Sequence, residues 1–304
     1  MKNFIIIRTP KGKRYAERIN FRMNQLYPNM RCFIRDKNDF HELIEDREFI
    51  RPDNTVIHSR CAFPAARWLD RLQSYENQGY TVINNVNTLR LTANKLKTVQ
   101  LLKENGILQP QTFFEITKNS RIREIVNHVQ RYFSTNEFVM KPYTSAGQGE
   151  HVYKFNINAF QTEVFRNTLG NMPYDSVIIQ EVVPYTSIIR VIVIGGVAMP
   201  YHFIDYKRPN EWKVSVCLNK TTMQVRLGIP SELAELAEKV QHIVGGDINF
   251  VDVFDTPYGY VVSEVNTACN LYQHQQLLKR AGYRKSGIAW RIAEYLYKQF
   301  PSNR

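Results

Sequence analysis

Residues 250–266 of the chain read FVDVFDTPYGYVVSEVN and set how the rest of the sequence is interpreted. Two apolar runs flank the segment 255–259, whose Asp, Thr, Pro and Gly are typical of a turn, so the stretch predicts a β-hairpin. Because side chains alternate between the two faces of a strand, Glu264 and Asn266 share one face, and the hairpin brings Asp252 alongside them.

Asp252, Glu264 and Asn266 together form a candidate metal site. Two carboxylates and an amide oxygen are hard oxygen ligands, which suit Mg²⁺ and the phosphates that it carries. The competing interpretation is two solvated acids on an exposed face. Both acids lie within runs of Val and Phe that are typical of buried strands, where an unpaired charge is costly. We therefore favour the metal interpretation.

The composition indicates a folded protein with anionic partners. At 304 residues the chain is long enough for two or three domains, and 43% apolar and 12% aromatic residues are ordinary for globular proteins. The formal net charge of +12 favours nucleotides, acidic peptides or nucleic acid. The basic residues are dispersed apart from small clusters, so nucleic-acid binding stays open but lacks a dense basic arm.

The cysteines and the N-terminus favour a soluble, cytoplasmic protein. The four cysteines are far apart and form neither a CxxC pair nor a zinc spacing, so reduced thiols are expected. The apolar run Phe4–Ile7 is too short for a signal sequence, and no apolar run approaches the roughly 20 residues of a membrane span.

Residues 1–90 are predicted to form a small N-terminal domain with a parallel α/β sheet, because short apolar strands alternate with helical stretches. The predicted strands are Phe4–Ile7, Cys32–Ile34, Val56–Ile57 and Thr81–Ile83, and the predicted helices lie near Lys13–Leu26, Phe40–Glu48 and Ala65–Gln78. The strand ends carry Arg8, His58, Ser59 and Arg60. Ligands bind at the carboxyl ends of such strands, although capping of loops is an equal alternative for these side chains.

Residues 91–183 and 184–304 are predicted to form two further units that mix helices and strands. The first begins with a helix over Leu91–Asn105, closed by Gly106. It continues with the strands Thr112–Ile116, Glu137–Lys141, His151–Phe155 and Val177–Glu181 and the helices Arg121–Phe133 and Ala159–Leu169. The second contains the strands Ile188–Ile194, Val197–Ile204 and Val214–Leu218, the helix Ser231–Val244, the hairpin and the final helix Gly287–Phe300.

Lys141 and the loop after it form a candidate phosphate site. Lys141 lies at the end of an apolar strand, where a lysine either reaches a phosphate as a point charge or stays solvated. In the loop Thr144-Ser145-Ala146-Gly147-Gln148-Gly149, the glycines let backbone N–H groups approach an anion. The loop matches neither a dinucleotide fingerprint nor a P-loop, and a plain hairpin turn is the alternative.

Two further strands carry candidate binding groups. The strand 177–184 reads VIIQEVVP, and its backbone can pair with the donor and acceptor of an adenine, or the strand simply leaves its sheet. Arg190 lies in an apolar run and needs an anionic partner there, either a phosphoryl group or a carboxylate of the fold. The chain has neither a G-x-S-x-G elbow nor an H-E-x-x-H spacing, which argues against covalent hydrolase chemistry.

In their order, these segments resemble the ATP-grasp superfamily, in particular its ribosomal S6 glutamate ligase-like (RimK-like) branch, from about Thr81 to Ala293. The motifs are Asn94-Lys95-Leu96-Lys97-Thr98, Gly106-Ile107-Leu108-Gln109-Pro110-Gln111-Thr112, Lys141-Pro142 with the small-residue loop, Gln180-Glu181, Arg190 and Ser263-Glu264-Val265-Asn266. Each motif is weak alone, whereas the ordered set at the family's spacing is specific.

The resemblance implies a pre-ATP-grasp domain followed by a two-lobed ATP-grasp domain, with ATP between the lobes. It implies phosphate and base-edge contacts by Lys95 and Lys141, a lid that contains Ser145, Gly147, Gln148 and Gly149, and an adenine site at Gln180, Glu181 and Val183, the last two through their backbone. It also implies that Asp252, Glu264 and Asn266 hold two Mg²⁺, or Mn²⁺, and that Arg190 and Lys213 stabilise the transferring phosphoryl group.

The activity that the resemblance implies is ATP-dependent ligation of a carboxylate to an amine. Transfer of the γ-phosphoryl group to the carboxylate gives an acylphosphate, and attack by an amine then gives an amide, with release of ADP and phosphate. The protein contributes positioning and charge neutralisation. The basic charge suits an acidic amino acid, peptide or protein as substrate, and a homo-oligomer is compatible with the sequence.

Three segments depart from the family pattern. Ile188 stands where relatives have an acid near the ribose, Lys213-Val214-Ser215 replaces the usual Arg-x-Asn, and Asn266-Thr267-Ala268-Cys269-Asn270 replaces Asn-x-x-Pro-Gly. The last segment borders the acceptor site in relatives, so the identity of the acceptor does not carry over. The alternative function is a non-catalytic, nucleotide-responsive binding module, with nucleic acid or an acidic protein as partner.

Overall fold

The computed structural model describes residues 1–8, 13–36, 48–60, 66–144, 151–158, 162–172, 176–208, 222–269, 272–283 and 287–300. The strands in these ranges form two four-stranded sheets and one five-stranded sheet. None of the helices in these ranges combines the length and the apolar character needed to cross a membrane.

The N-terminal sheet is parallel and has the strand order β2-β1-β3-β4. Its elements are β1 (Asn3–Arg8), α1 (Lys13–Leu26), β2 (Arg31–Asp36), β3 (Thr55–Arg60), α2 (Ala66–Asn77) and β4 (Thr81–Ile83). β1 and β3 are buried along almost their whole length, as expected where both faces of a parallel sheet are covered. The predicted parallel α/β sheet is confirmed. Residues 37–47, which hold almost all of the helix predicted near Phe40–Glu48, lie outside the described residues.

Two consecutive helices, α3 (Val86–Ala93) and α4 (Lys95–Glu104), follow the N-terminal sheet. The prediction of one continuous helix over Leu91–Asn105 is therefore wrong. Asn94 separates the two helices in an extended conformation, and its side chain accepts a hydrogen bond from the N–H group of Lys97. Asparagine is a strong N-cap residue, so a new helix begins at Lys95.

The second sheet is antiparallel and has the order β5-β8-β6-β7. Its strands are β5 (Thr112–Thr117), β6 (Glu137–Pro142), β7 (Tyr153–Asn156) and β8 (Ser176–Glu181). The helices α5 (Ile122–Tyr132) and α6 (Thr162–Gly170) pack against it through a core that includes Ile125, Phe138 and Phe165. These elements agree with the predicted ones to within a few residues at their ends, where described.

The third sheet is antiparallel and has the order β11-β10-β9-β12-β13. Its strands are β9 (Ser187–Ile194), β10 (Val197–Tyr206), β11 (Gln224–Leu227), β12 (Ile248–Thr256) and β13 (Gly259–Asn266). The same part of the chain forms the helices α7 (Ser231–Val244), α8 (Tyr272–Arg280) and α9 (Ile288–Lys298). The predicted hairpin is β12–β13. The strand predicted over Val214–Leu218 lies outside the described residues.

The sequence prediction missed β11 and α8. β11 is only four residues long and mostly exposed, so it lacks the apolar run that marks a buried strand. α8 reads YQHQQLLKR, in which polar residues outnumber apolar ones, although His274 and Gln275 are buried. Tertiary packing, which a local pattern does not show, determines both elements.

β9 lies at the centre of the third sheet and is buried on both faces. Ile188 and Ile192 belong to a core that they share with Phe4 of β1, whereas Ile189 and Val191 contact a second core beneath α7. A continuous apolar core therefore joins the N-terminal sheet to the C-terminal sheet. The domain boundaries at 1–90, 91–183 and 184–304 stay predictions.

Candidate active site

The hairpin brings the three candidate metal ligands together. Asp252 and Glu264 are direct cross-strand partners, and the register shifts by one residue immediately after Asp252. Nδ2 of Asn266 lies 3.5 Å from Oδ2 of Asp252. Asp252 is buried, while the Glu264 side chain is one-third exposed, at 33%. The group therefore has a buried end and an accessible end.

Arg190 reaches this group from the neighbouring strand β9. Its Nε donates to Oδ1 of Asp252 and its Nη2 donates to Oδ2, each over 2.7 Å. Burial raises the pKa of Asp252, and the Arg190 guanidinium opposes that shift. Of the two partners that the sequence left open for Arg190, the structure contains the carboxylate. The contact with a transferring phosphoryl group stays a prediction.

Lys95 approaches Glu264 from the start of α4. Its Nζ lies 2.6 Å from Oε1 of Glu264, and its backbone N–H donates to the carbonyl of Tyr143 over 2.7 Å. Asn94 forms an isolated β-bridge with Thr144. The start of the helix is therefore held between the end of β6 and the carboxylate face of the hairpin.

Lys141 lies close to Lys95 and Glu264. Its Nζ donates to Oε1 of Gln180 over 2.7 Å, and Nε2 of Gln180 donates to Oγ1 of Thr112 over 2.9 Å. Burial and the nearby Lys95 lower the pKa of Lys141 to about 8, although Glu264 opposes the shift. The Lys141 ammonium is therefore poorly hydrated and stands among charged groups of both sheets.

Glu264 is held ionised by its surroundings. Burial acts to raise its pKa, but Lys95, Lys141 and Arg190 outweigh burial and lower the pKa to about 2. The group thus comprises the carboxyl groups of Asp252 and Glu264 and the three basic side chains of Lys95, Lys141 and Arg190. A site with surplus positive charge next to carboxylates suits a polyphosphate that carries divalent cations.

The donor set fits Mg²⁺. Two carboxylates and a side-chain amide face one another, and these are the oxygen ligands that Mg²⁺ prefers. Among the described residues, no group of three or more His, Cys, Asp or Glu side chains offers a richer metal site. The predicted ligands Asp252, Glu264 and Asn266 are thus placed together, and their binding of metal stays a prediction.

Glu181 anchors the end of β8 with its side chain. Oε1 accepts from the N–H of Gln111 over 2.9 Å, and Oε2 accepts from the hydroxyl of Ser134 over 2.9 Å. The backbone N–H groups of Glu181 and Val182 donate to the carbonyls of Gln111 and Glu137. Within the described part of the chain, the N–H of Val183 has no backbone acceptor, which leaves it available to an adenine. The adenine contacts of Gln180, Glu181 and Val183 stay predictions.

Five of the predicted site residues lie outside the described residues: Ser145, Gly147, Gln148, Gly149 and Lys213. Their predicted roles in the phosphate lid and at the phosphoryl group stay predictions.

The strand-end residues of the N-terminal sheet take different roles. His58 is fully buried, and its Nδ1 lies 2.9 Å from the carbonyl oxygen of Ile83. Burial and the nearby Arg60 lower the pKa of His58 to about 3. Arg60 donates from Nη2 to the carbonyl of Cys269, three residues after Asn266. The sequence singled out Arg60, but only the fold reveals that it contacts the segment predicted to border the acceptor.

The fold is that of the ATP-grasp ligases. The structure aligns over 98% of its length with 98% of the chain of the ATP-grasp ligase PsnB complexed with minimal precursor, Mg and ADP, at a TM-score of 0.65. The two chains are 14% identical, so this similarity establishes the fold alone.

The sequence matches the family model of the RimK-like ATP-grasp domain over residues 92–294, and the chain belongs to this family. The alpha-aminoadipate–LysW ligase LysX of Sulfurisphaera tokodaii is 30% identical over 237 residues, which cover 75% of each chain. The coenzyme gamma-F420-2:alpha-L-glutamate ligase of Methanococcus maripaludis is 27% identical over 274 residues, 84% of this chain and 86% of that protein.

These matches confirm the predicted fold, the RimK-like membership and the class of enzyme, an ATP-dependent carboxylate–amine ligase. Use of ATP and Mg²⁺ is common to ATP-grasp ligases, as predicted for this chain.

Proposed function

We propose that this enzyme activates the carboxylate of an amino acid, peptide or protein with ATP and joins it to an amine. The observation that carries the proposal is the contact between Lys95 and Glu264. Lys95 lies next to the second sheet, which carries Lys141, and the contact places the Lys95 ammonium group against the carboxylates of the third sheet. The nucleotide lies between these two sheets, with its phosphates at this contact.

The two lysines of the site, Lys95 and Lys141, can exchange their partners for phosphates when nucleotide binds. Lys95 is paired with Glu264, and Lys141 is bound to the neutral Gln180. A phosphate is a stronger partner for either ammonium than an amide oxygen is. Movement of Lys95 from Glu264 to a phosphate releases the Glu264 carboxylate for a divalent cation at the same moment.

Asp252, Glu264 and Asn266 would hold two Mg²⁺ in this proposal. Bound there, Mg²⁺ neutralises phosphate charge and orients the γ-phosphoryl group. Arg190 fixes the carboxyl group of Asp252 by two hydrogen bonds. In this proposal Lys213 would join Arg190 at the phosphoryl group.

The adenine would lie beside the end of β8. Val183 N–H is available as a donor, and Gln180 is oriented by Lys141 and Thr112. The segment from Ser145 to Gly149 would cover the phosphates. This arrangement connects the base and the phosphates through the hydrogen bond between Lys141 and Gln180.

The reaction proceeds in two steps. A carboxylate oxygen attacks the γ-phosphorus of ATP, the bond to the β,γ-bridging oxygen breaks, and ADP leaves. The amine then attacks the carbonyl carbon of the acylphosphate, an amide forms, and phosphate and a proton are released. Through Lys95, Lys141 and Arg190 the protein positions the groups and neutralises charge, which are the main contributions to phosphoryl transfer.

The test is ADP formation by the purified protein with ATP, Mg²⁺ and a panel of amino acids and peptides, read together with the mass of the product. We expect ADP only when both a carboxylate and an amine are present. Glu264→Gln keeps the size of the side chain and should lower turnover by about 100-fold or more. Glu232→Gln, on the exposed start of α7, is the matched control and should leave turnover unchanged.

Unchanged turnover in Glu264→Gln would overturn the metal assignment. Nucleotide binding with no amide product for any member of the panel, together with tight and salt-sensitive binding of nucleic acid, would support the non-catalytic alternative instead.

A further inference from the structure

Three arginines form a stripe along α1. Arg14, Arg18 and Arg22 are spaced four residues apart, so they lie on one face of the helix. At about 1.5 Å per residue the stripe extends over about 12 Å. Arg14 is exposed and the other two are half-buried. Within the described part of the chain, neither Arg14 nor Arg18 has a carboxylate within salt-bridge distance.

Aromatic rings hold these guanidinium groups. Those of Arg14 and Arg18 lie 5.5 Å and 5.0 Å from the centre of the Tyr272 ring. That of Arg22 lies 5.6 Å from the centres of both Phe21 and Trp290. Stacking on a ring orders a guanidinium group without using its N–H donors, and an ordered guanidinium binds a carboxylate through two parallel hydrogen bonds. Of the three arginines, Arg22 also donates from Nη1 to Oε1 of Gln25 over 2.5 Å.

The stripe begins next to the candidate acceptor segment. α1 follows β1, so its first turn lies at the carboxyl edge of the parallel sheet, where β3 ends at Arg60. Arg60 donates to the carbonyl of Cys269, and Tyr272, on which Arg14 and Arg18 stack, is three residues further along. Arg22 lies two turns of helix further from that edge.

We propose that this arginine stripe, Arg14, Arg18 and Arg22 with Tyr272 and Trp290, docks an acidic segment of a polypeptide substrate whose reacting group enters the active site. The proposal rests on the proposed ligase function and names its substrate class: a peptide or protein with several carboxylates next to the reacting group. The net charge of +12 favours the approach of such a chain.

The charges around the stripe favour a polypeptide over a nucleic acid. Glu17 lies on α1 between Arg14 and Arg18 and pairs with Lys13 over 4.0 Å, and Glu294, four residues after Trp290, pairs with Arg291 over 3.2 Å. The phosphates of a nucleic acid are part of its backbone, so some of them would lie next to these carboxylates. The carboxylates of an acidic peptide stand on flexible side chains and can turn toward the arginines and away from Glu17 and Glu294.

Two triple variants test the docking surface. Arg14→Gln/Arg18→Gln/Arg22→Gln removes the stripe, and Arg121→Gln/Arg123→Gln/Arg131→Gln removes three exposed arginines at and within α5. Both remove the same charge. The probes are fluorescein-labelled hexaglutamate, hexaglutamine and a single-stranded hexathymidine, with binding read by fluorescence anisotropy at an ionic strength of about 0.15 M.

We expect hexaglutamate to bind the wild-type chain more tightly than either other probe. Loss of the stripe should weaken this binding by about tenfold or more, since three charge-assisted contacts disappear. The α5 triple should change it by less than about twofold, the size of a general charge effect. Urea unfolding establishes whether both variants are folded, and Arg18→Glu, a single charge reversal, replaces the stripe triple if that triple unfolds.

Equal weakening in the two triples would overturn the proposal, as would equal binding of hexaglutamate and hexaglutamine. Tighter binding of hexathymidine that is lost with the stripe would make the surface a nucleic-acid site. Because the anisotropy measurement needs neither ATP nor turnover, failure of the ligase assay and failure of docking are separate results. If both proposals hold, the stripe triple raises KM for acidic peptides and leaves KM for ATP unchanged.

Discussion

Nζ of Lys95 lies 2.6 Å from Oε1 of Glu264, although 169 residues separate the two in the chain. Lys95 begins a helix that is held at the end of β6 through Tyr143, and Glu264 belongs to the hairpin of the third sheet. One ion pair therefore joins the two sheets at the place where phosphates and metal are proposed to bind. In the proposed mechanism, phosphate competes with Glu264 for Lys95, and the metal competes with Lys95 for Glu264.

Replacement of Lys95 by Met is expected to lower kcat/KM for ATP by about 100-fold, because a cation that offsets developing phosphate charge is lost. Lys95→Arg keeps the charge and should recover part of the activity. Lys97→Met, two residues away and exposed, is the control and should behave as wild type in the ADP-release assay. Equal activity in Lys95→Met and Lys97→Met would exclude contact of Lys95 with the phosphates.

Arg190→Met is expected to destabilise the protein by about 3–5 kcal/mol, because the Asp252 carboxylate stays buried without its two hydrogen bonds. The double variant Arg190→Met/Asp252→Leu removes both charges and should recover most of this free energy of unfolding while remaining inactive. The measurement is the free energy of unfolding in urea, and the m-value should be the same in all variants. A double variant as unstable as the single one would indicate that packing, rather than the unpaired charge, sets the loss.

The hairpin could be predicted because its information is local. Alternation of apolar and polar residues fixes which face Glu264 and Asn266 share, and a turn of Asp, Thr, Pro and Gly brings the two strands together. The register shift after Asp252, which places it opposite Glu264, has no signal in the sequence pattern. The resemblance of the ordered motifs to the family implied both lysines of the site, and Lys141 was also indicated by its place at the end of an apolar strand. These features depend on residues that are close in sequence.

The missed features depend on contacts between distant residues. The partner of Arg190 is 62 residues away, and the sequence requires only that some anion be present. The contact of Arg60 with Cys269 spans 209 residues and depends on how the N-terminal sheet packs against the third sheet. The break at Asn94 had a local signal, the N-cap preference of asparagine, which the apolar pattern on either side concealed.

His58 makes stability depend on pH. Its pKa in the folded state is lowered to about 3 from 6.5, so between these values the unfolded state binds a proton that the folded state does not. Stability therefore rises with pH over this window and is lost as pH falls below about 6.5, by at most about 1.4 kcal/mol per pH unit from this residue.

The measurement is the free energy of unfolding in urea from about pH 7.5 down to about pH 4.5 for the wild type and His58→Gln. Glutamine keeps a donor for the carbonyl of Ile83 but does not titrate. The wild-type curve should be the steeper of the two. Parallel curves would indicate that His58 is protonated in the folded protein as readily as in the unfolded one.

Asn94→Ala tests whether the cap of α4 positions Lys95. The change removes the hydrogen bond that the Asn94 side chain accepts from the N–H of Lys97 and should cost about 1 kcal/mol of stability. Asn85→Ala is the control, because Asn85 caps α3 with the N–H of Thr88 as donor and in addition donates from Nδ2 to the carbonyl of Gly245. Asn85→Ala should therefore lose at least as much stability in urea as Asn94→Ala, but only Asn94→Ala should raise KM for ATP, since it loosens the turn that directs Lys95 toward Glu264. An equal rise of KM in both variants would mean that general destabilisation, rather than the direction of Lys95, governs nucleotide binding.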